Sequence, residues 1–177
     1  LELQGRDIYI REGCYTCHSQ MIRPFRSETS RYGEYSKAGE FVYDRPFQWG
    51  SKRTGPDLAR EGVGNNRKTN SWHYNHMDAP QALSTGSIMP SYSFMLDKDL
   101  DTASTPSKIR VMQKLGVPYP EGYDQIANKE LMDQAKLITE NLKTDGIKSP
   151  PQKESIAVIA YLQRLGTDIS KSQTAQK

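Results

Sequence analysis

The chain has only two cysteines, two residues apart with a histidine beside the second: Cys14-Tyr15-Thr16-Cys17-His18. No other feature limits the fold as strongly, because one helical turn then carries two thiols and an imidazole. C-x-x-C-H is the attachment pattern of a c-type haem. Thiols at this spacing reach the two vinyl groups on one porphyrin edge, and His18 points a ring nitrogen at the iron from the proximal face. A thioredoxin-like redox pair needs a βαβ setting, which is absent, and has no use for His18. A structural zinc site needs four ligands, and Cys14, Cys17 and His18 supply three. A plain disulfide between the two thiols is the remaining alternative.

The bulk composition agrees with a bound prosthetic group. Of 177 residues, 35% are hydrophobic, and the mean hydropathy is −0.78. So polar a chain has little apolar material for a large core. The 24 Lys and Arg against 21 Asp and Glu give a formal charge of +3. The excess is small and dispersed, which excludes nucleic acid as an expected partner. The longest apolar run, Ile156 to Leu162, falls far short of the ~20 residues that span a bilayer. With no initiator Met and no signal pattern at Leu1, the chain is expected to be a soluble fragment of a longer protein.

Patterning predicts an all-α domain with long loops. Leu3 to Glu12 reads as a short helix closed by Gly13. Ser19 to Arg53 shows no sustained period and reads as loop with local turns. A short helix is expected near Asn70 to Met77, ended by Asp78-Ala79-Pro80. Thr105-Pro106 starts another, with Ile109, Met112 and Leu115 on one side and Gly116 as the stop. Leu131, Ala135, Ile138 and Leu142 sit at helical spacing up to Gly146. The last helix runs from about Gln152 to Leu165, stops at Gly166, and is apolar round most of its circumference.

An iron held by His18 has one further axial position. Met21 lies too close to His18 to reach the opposite face, and Met112 and Met132 fall on amphipathic helices where Met is usually filler. Met77, Met89, Met95, His73 and His76 are left. Met89-Pro90 stands out, since proline holds the preceding residue extended and such a loop can aim a thioether. His/Met ligation raises the reduction potential relative to bis-His ligation. A protein side chain at this position leaves the iron able only to change oxidation state, whereas an open position admits reactive small ligands.

These residues resemble the small cytochromes c. Gly5-Arg6-Asp7-Ile8-Tyr9 is similar to their first helix, and Gly55-Pro56-Asp57-Leu58 to the proximal loop. In that loop the proline carbonyl accepts a hydrogen bond from the axial histidine. Ile88-Met89-Pro90 resembles the distal methionine loop, and Ala160-Tyr161-Leu162 with Leu165-Gly166 the closing helix. More closely, Cys14 to Pro24, Gly33, Gly39-Glu40-Phe41, Trp49 to Leu58 and Leu115 to Tyr119 resemble the mono-haem subunit (FixO type) of cbb(3)-type cytochrome c oxidase. The sequence departs from that family in having no N-terminal transmembrane helix and in a longer stretch between Tyr119 and Pro151.

The resemblance implies one cytochrome c domain over 1–177. Its parts are a haem-attachment segment at 3–18, a distal Met loop at 86–95, an inserted helical region at about 105–146 and a closing helix at about 152–166. It implies one haem c held by thioethers to Cys14 and Cys17, with His18 and Met89 on the iron and Pro56 orienting His18. Arg53, with Lys52, is a candidate partner for the haem propionates against an ordinary surface role. Trp72 is a candidate for the haem edge or a propionate against plain core. The implied partners are a donor cytochrome c and the catalytic haem–copper subunit. They meet at the periplasmic face of the bacterial inner membrane, with attachment through a missing N-terminal helix or a fused subunit. The chain is then an electron-transfer subunit, not catalytic alone. The alternatives are a free soluble electron shuttle and an open-iron cytochrome with peroxidase-like or ligand-binding activity. Whether Tyr32, Tyr35 and Tyr43 face a neighbour or solvent is left open.

Overall fold

The computed structural model describes residues 1–64 and 67–169. Its helices are α1 (Glu2–Arg11), α2 (Arg26–Tyr32), α3 (Asn70–Asp78), α4 (Pro80–Leu83), α5 (Phe94–Asp97), α6 (Thr105–Lys114), α7 (Tyr123–Thr144) and α8 (Glu154–Arg164). No β-strand occurs among the described residues; one isolated bridge joins Asp99 to Lys153. The class is all-α, as the patterning predicts. No helix of the described residues is long and apolar enough to cross a membrane.

The frame is the crossing of α1 over α8. A Cβ built at Gly5 would lie 1.9 Å from the Ala157 carbonyl oxygen, so the two helices meet backbone to backbone. One turn on, Tyr9 and Tyr161 pack with ring centroids 5.3 Å apart. α8 is buried along nearly its whole length, from Glu154 to Tyr161 and again at Arg164. Its polar end is satisfied by charge: Asp44 is fully buried between Arg164 at 2.7 Å and Arg6 at 3.2 Å. Desolvation of that kind is tolerable only because the charges are paired.

The helices α6 and α7 form a hairpin that is part of the core. Leu131, Ala135, Ile138 and Leu142 are buried, the last two and Ala135 against α8, while Ile109, Met112, Val117 and Ala127 pack around Leu3. Gln4 ties α1 to Thr105 at 2.6 Å, and Lys108 reaches Asp7 at 2.6 Å.

Three expectations change. Leu115 is not on the buried side of α6; it is 54% exposed. The helix ends in a Schellman motif: Gly116 is left-handed at φ 80°, Val117 N–H bonds to Met112 C=O, and Gly116 N–H to Gln113 C=O. That turn swings Val117 inward and leaves Leu115 outside. α7 is also longer than its apolar spacing suggests, covering 22 residues. Finally, the stretch expected as loop contains α2 and a 3-10 turn over Ala38–Phe41.

Gly5→Ala is expected to force α1 off α8 and lower the unfolding free energy by about 3 kcal/mol, at the upper end of overpacking costs. A denaturant titration checks this; an unchanged midpoint would mean that the crossing does not need the missing side chain.

Candidate functional site: a haem crevice

Where α1 ends, Gly13 takes φ 72° and starts the 3-10 turn Cys14–Thr16, with Thr16 Oγ1 donating to the Gly13 carbonyl at 2.7 Å. Both cysteines are free thiols, Cys14 half-buried and Cys17 exposed. Burial pushes the Cys14 thiol up to about 12. The thiolate needed for metal binding or disulfide exchange is therefore suppressed there.

His18 follows directly. Its Nδ1 lies 2.8 Å from the Pro56 carbonyl oxygen, which makes Nδ1 the protonated nitrogen and leaves the Nε2 lone pair free. Burial holds the imidazole pKa below its usual value, with the Pro56 hydrogen bond opposing, so the ring is neutral at neutral pH. A Cβ at Gly55 would sit 2.2 Å from His18 Cε1; the ring rests where a side chain would be.

The loop that seats His18 is clamped on both sides of it. Gly55 N–H bonds to the Cys17 carbonyl at 3.0 Å and Leu58 N–H to the Ser19 carbonyl at 2.8 Å. Asp57 accepts from Ser19 Oγ at 2.6 Å, Met21 N–H at 2.9 Å and Ala59 N–H at 2.9 Å. Arg53 extends the same network to Ser19, the Met21 carbonyl, Glu28 and Asp57. Arg23 pairs with Glu28 from the other side. A cavity of about 410 Å³ beside Gly55 and Pro56 is lined by Arg23, Arg31, Arg53 and Glu28, and neither cysteine nor Met89 lines it.

Across from His18 lie α3 and the segment after it. Thr69 caps α3 by accepting the Trp72 N–H at 3.1 Å. Trp72 is half-buried and stacks on His76 with centroids 4.3 Å apart, while Lys68 Nζ sits over its ring at 5.5 Å. His76 lies within electrostatic range of His18, and its buried Nδ1 has no hydrogen-bond partner among the described residues. Met89 is half-buried, held by Gln81 donating to its carbonyl at 3.0 Å and by its N–H on Ser87 at 3.2 Å. Tyr92, three residues on, senses both Cys14 and Cys17 and donates its N–H to the Met77 carbonyl at 2.7 Å. This segment thus folds back toward the thiol turn. Met77 and Met95 are core residues at 4% and 2% exposure, and His73 is buried at 3%.

Of the residues singled out in the sequence, Cys14, Cys17, His18 and Pro56 lie together. Trp72 stacks on His76, which is within electrostatic range of His18. Arg53 lies behind Pro56 with its charge engaged by Glu28 and Asp57, and Lys52 is solvent-exposed. Tyr32 and Tyr43 face inward: Tyr32 OH accepts the Asp57 N–H, and Tyr43 packs edge-on against Tyr119. Tyr35 is exposed. Sequence reasoning missed Gly55 as the seat of His18, although glycine before the proline was the visible signal. It also missed Glu28 and Tyr92, for which a single sequence carries no signal.

The donor set fits a haem. One turn offers two thiols, the next residue a neutral imidazole with Nε2 free, and α3 holds a buried unpartnered nitrogen of His76 within electrostatic range of that histidine. The fold and this arrangement are those of a cytochrome c. The family model of cytochrome c oxidase, mono-heme subunit/FixO matches residues 1–169, and the chain belongs to that family. No curated protein matches it.

Glu28 gives a pH-dependent test of the clamp. Burial raises its pKa, but hydrogen bonds from Arg53 and Arg23 outweigh this and hold it at about 2. The folded value lies below the ordinary ~4.3, so the stabilisation is complete above ~4.3 and disappears as pH falls toward 2. Stability is expected to decline over that interval more steeply in the native protein than in Glu28→Gln. Parallel declines in denaturant titrations would remove Glu28 from the clamp.

Proposed function

We propose that this chain carries one haem c, bound by thioethers to Cys14 and Cys17 and by His18 and Met89 to its iron, and passes single electrons through it. The observation that carries the reading is the His18–Pro56 hydrogen bond at 2.8 Å. It fixes the tautomer that offers Nε2 to a metal, one residue after a pair of unbridged thiols. When bound, the haem supplies a one-electron couple whose potential a thioether ligand raises. The protein's own residues do the rest. Pro56 and Gly55 hold the imidazole in place, and the Asp57–Arg53–Glu28 network holds the loop that carries them. Met89, on a loop pinned by Gln81 and Ser87, would hold the iron opposite His18.

Membership of an oxidase subunit family implies association with the catalytic oxidase complex. Within that setting the chain receives electrons from a donor cytochrome c and delivers them to the haem–copper subunit. It works at the periplasmic face of the bacterial inner membrane. If His18 and Met89 both hold the iron, the haem group would supply a one-electron couple and leave no place for a substrate. Family membership also favours an oxidase subunit over a free soluble shuttle. Arg53 is already neutralised by Glu28 and Asp57, so Trp72 and His76 are the better placed groups for the haem periphery.

The oxidised protein is expected to show the weak charge-transfer absorption at the red end of the spectrum that methionine gives when bound to ferric haem. Its absence would return the sixth position to a histidine or leave it open, and the enzyme alternative would regain ground. Met89→Ala is expected to keep the haem attached yet open the iron to carbon monoxide. A variant that remains six-coordinate and unreactive would remove Met89 from the iron.

A further inference from the structure

Behind the Trp72–His76 stack lies a second titratable pair that electron transfer as described does not use. Glu61 sits on the turn that follows the proximal loop, its N–H bonded to the Leu58 carbonyl at 3.1 Å. His73, on the first turns of α3, is 3% exposed. Its Nε2 is buried and has no hydrogen-bond partner among the described residues; the nearest acidic oxygen is Glu61 Oε1 at 3.7 Å. A buried, unpartnered imidazole nitrogen therefore faces a half-buried carboxylate across a gap slightly too wide for a hydrogen bond. A buried nitrogen left without a partner is destabilising. One proton on the Glu61 carboxyl satisfies both, because a small side-chain rotation lets it donate to the Nε2 of neutral His73.

The pair is placed to feel charge in the haem crevice. Leu58, three residues before Glu61, packs in the same cluster as Cys14. His76 is within electrostatic range of both His73 and His18. The charged groups that face the pair are Lys68, which acts on both members, and His76 on the same helix as His73. Neither supplies the missing hydrogen bond.

We infer that Glu61 and His73 form a buried proton site that takes up one proton from solvent when the crevice gains one electron. This rests on the one-haem reading above. The electron comes from an external one-electron donor protein, and the proton binds the Glu61 carboxylate, so the charge added to the crevice is balanced within the same part of the fold. No other bond forms or breaks. Burial pushes Glu61 up to about 7 against the pull of Lys68, and pushes His73 down to about 4. In the neutral range the proton therefore belongs to Glu61, with His73 as the neutral acceptor. The sign follows: added negative charge favours the protonated carboxyl, so Glu61 titrates at higher pH in the reduced protein than in the oxidised one.

The test uses the full chain with its haem attached, poised on an electrode at several pH values on both sides of ~7, in native form and as Glu61→Gln. The native reduction potential is expected to fall as pH rises through the neutral range, and this dependence is expected to disappear in Glu61→Gln. The reduced-minus-oxidised infrared difference spectrum of the native protein is expected to gain a protonated-carboxyl C=O stretch, which Glu61→Gln lacks. An unchanged pH profile in the variant, or no carboxyl band in the native spectrum, overturns the proton site. If the variant does not fold, the native infrared spectrum decides alone. A reversible one-electron wave without the proton signature leaves the haem reading standing and removes only this inference; no wave at all removes both.

Discussion

Because residue 5 has no side chain, α1 can press its backbone against the carbonyl of Ala157, and everything else in the structure is hung from that contact. The direction in which α1 leaves the crossing decides where Gly13 turns, and so where Cys14, Cys17 and His18 emerge. The far end of α8 decides where the segment around Gly62 can lie, since Gly62 N–H bonds to the Leu165 carbonyl at 3.0 Å. That segment continues the proximal loop. One close helix crossing thus brings His18 and the loop that seats it into register, though His18 and Pro56 are 38 positions apart.

A polar chain builds this frame with paired charge where aliphatic mass is short. Asp44 is buried between two arginines, Glu154 between Arg11 and Lys98, and Glu28 between Arg23 and Arg53. Such pairs add little net energy over apolar packing, but they are exacting about geometry, and removing one partner strands the other. The Glu61–His73 pair differs from all of these. Its members are not matched as ions, and the gap between them is closed by a proton and not by a countercharge.

Much of this was legible in advance, and the reason differs from element to element. The C-x-x-C-H turn announces itself, because two thiols and an imidazole at this spacing have few competing uses. α8 and the core face of α7 were readable from apolar spacing alone. α2 was not, since its one buried residue is Glu28 and its stability comes from Arg23 and Arg53, which carry no periodicity. The outward turn of Leu115 was unreadable from hydrophobicity because a left-handed cap decided which of Leu115 and Val117 went inside. His73 and His76, three apart on one short helix, resembled surface residues. Only the packing of α3 shows one of them sealed against Glu61 and the other stacked on Trp72.

The clamp around His18 has a kinetic meaning as well as a structural one. The residues on either side of the imidazole are bonded to the loop behind it, the ring itself is bonded to that loop, and Gly55 leaves no slack beneath it. A ligand held at four points in this way has nearly the same resting place whether the centre it serves is charged or neutral. On the proposed reading, little nuclear rearrangement would accompany each arrival and departure of an electron. A stiff seat lowers the barrier to exchange without touching the driving force, and lets the two be set by different residues.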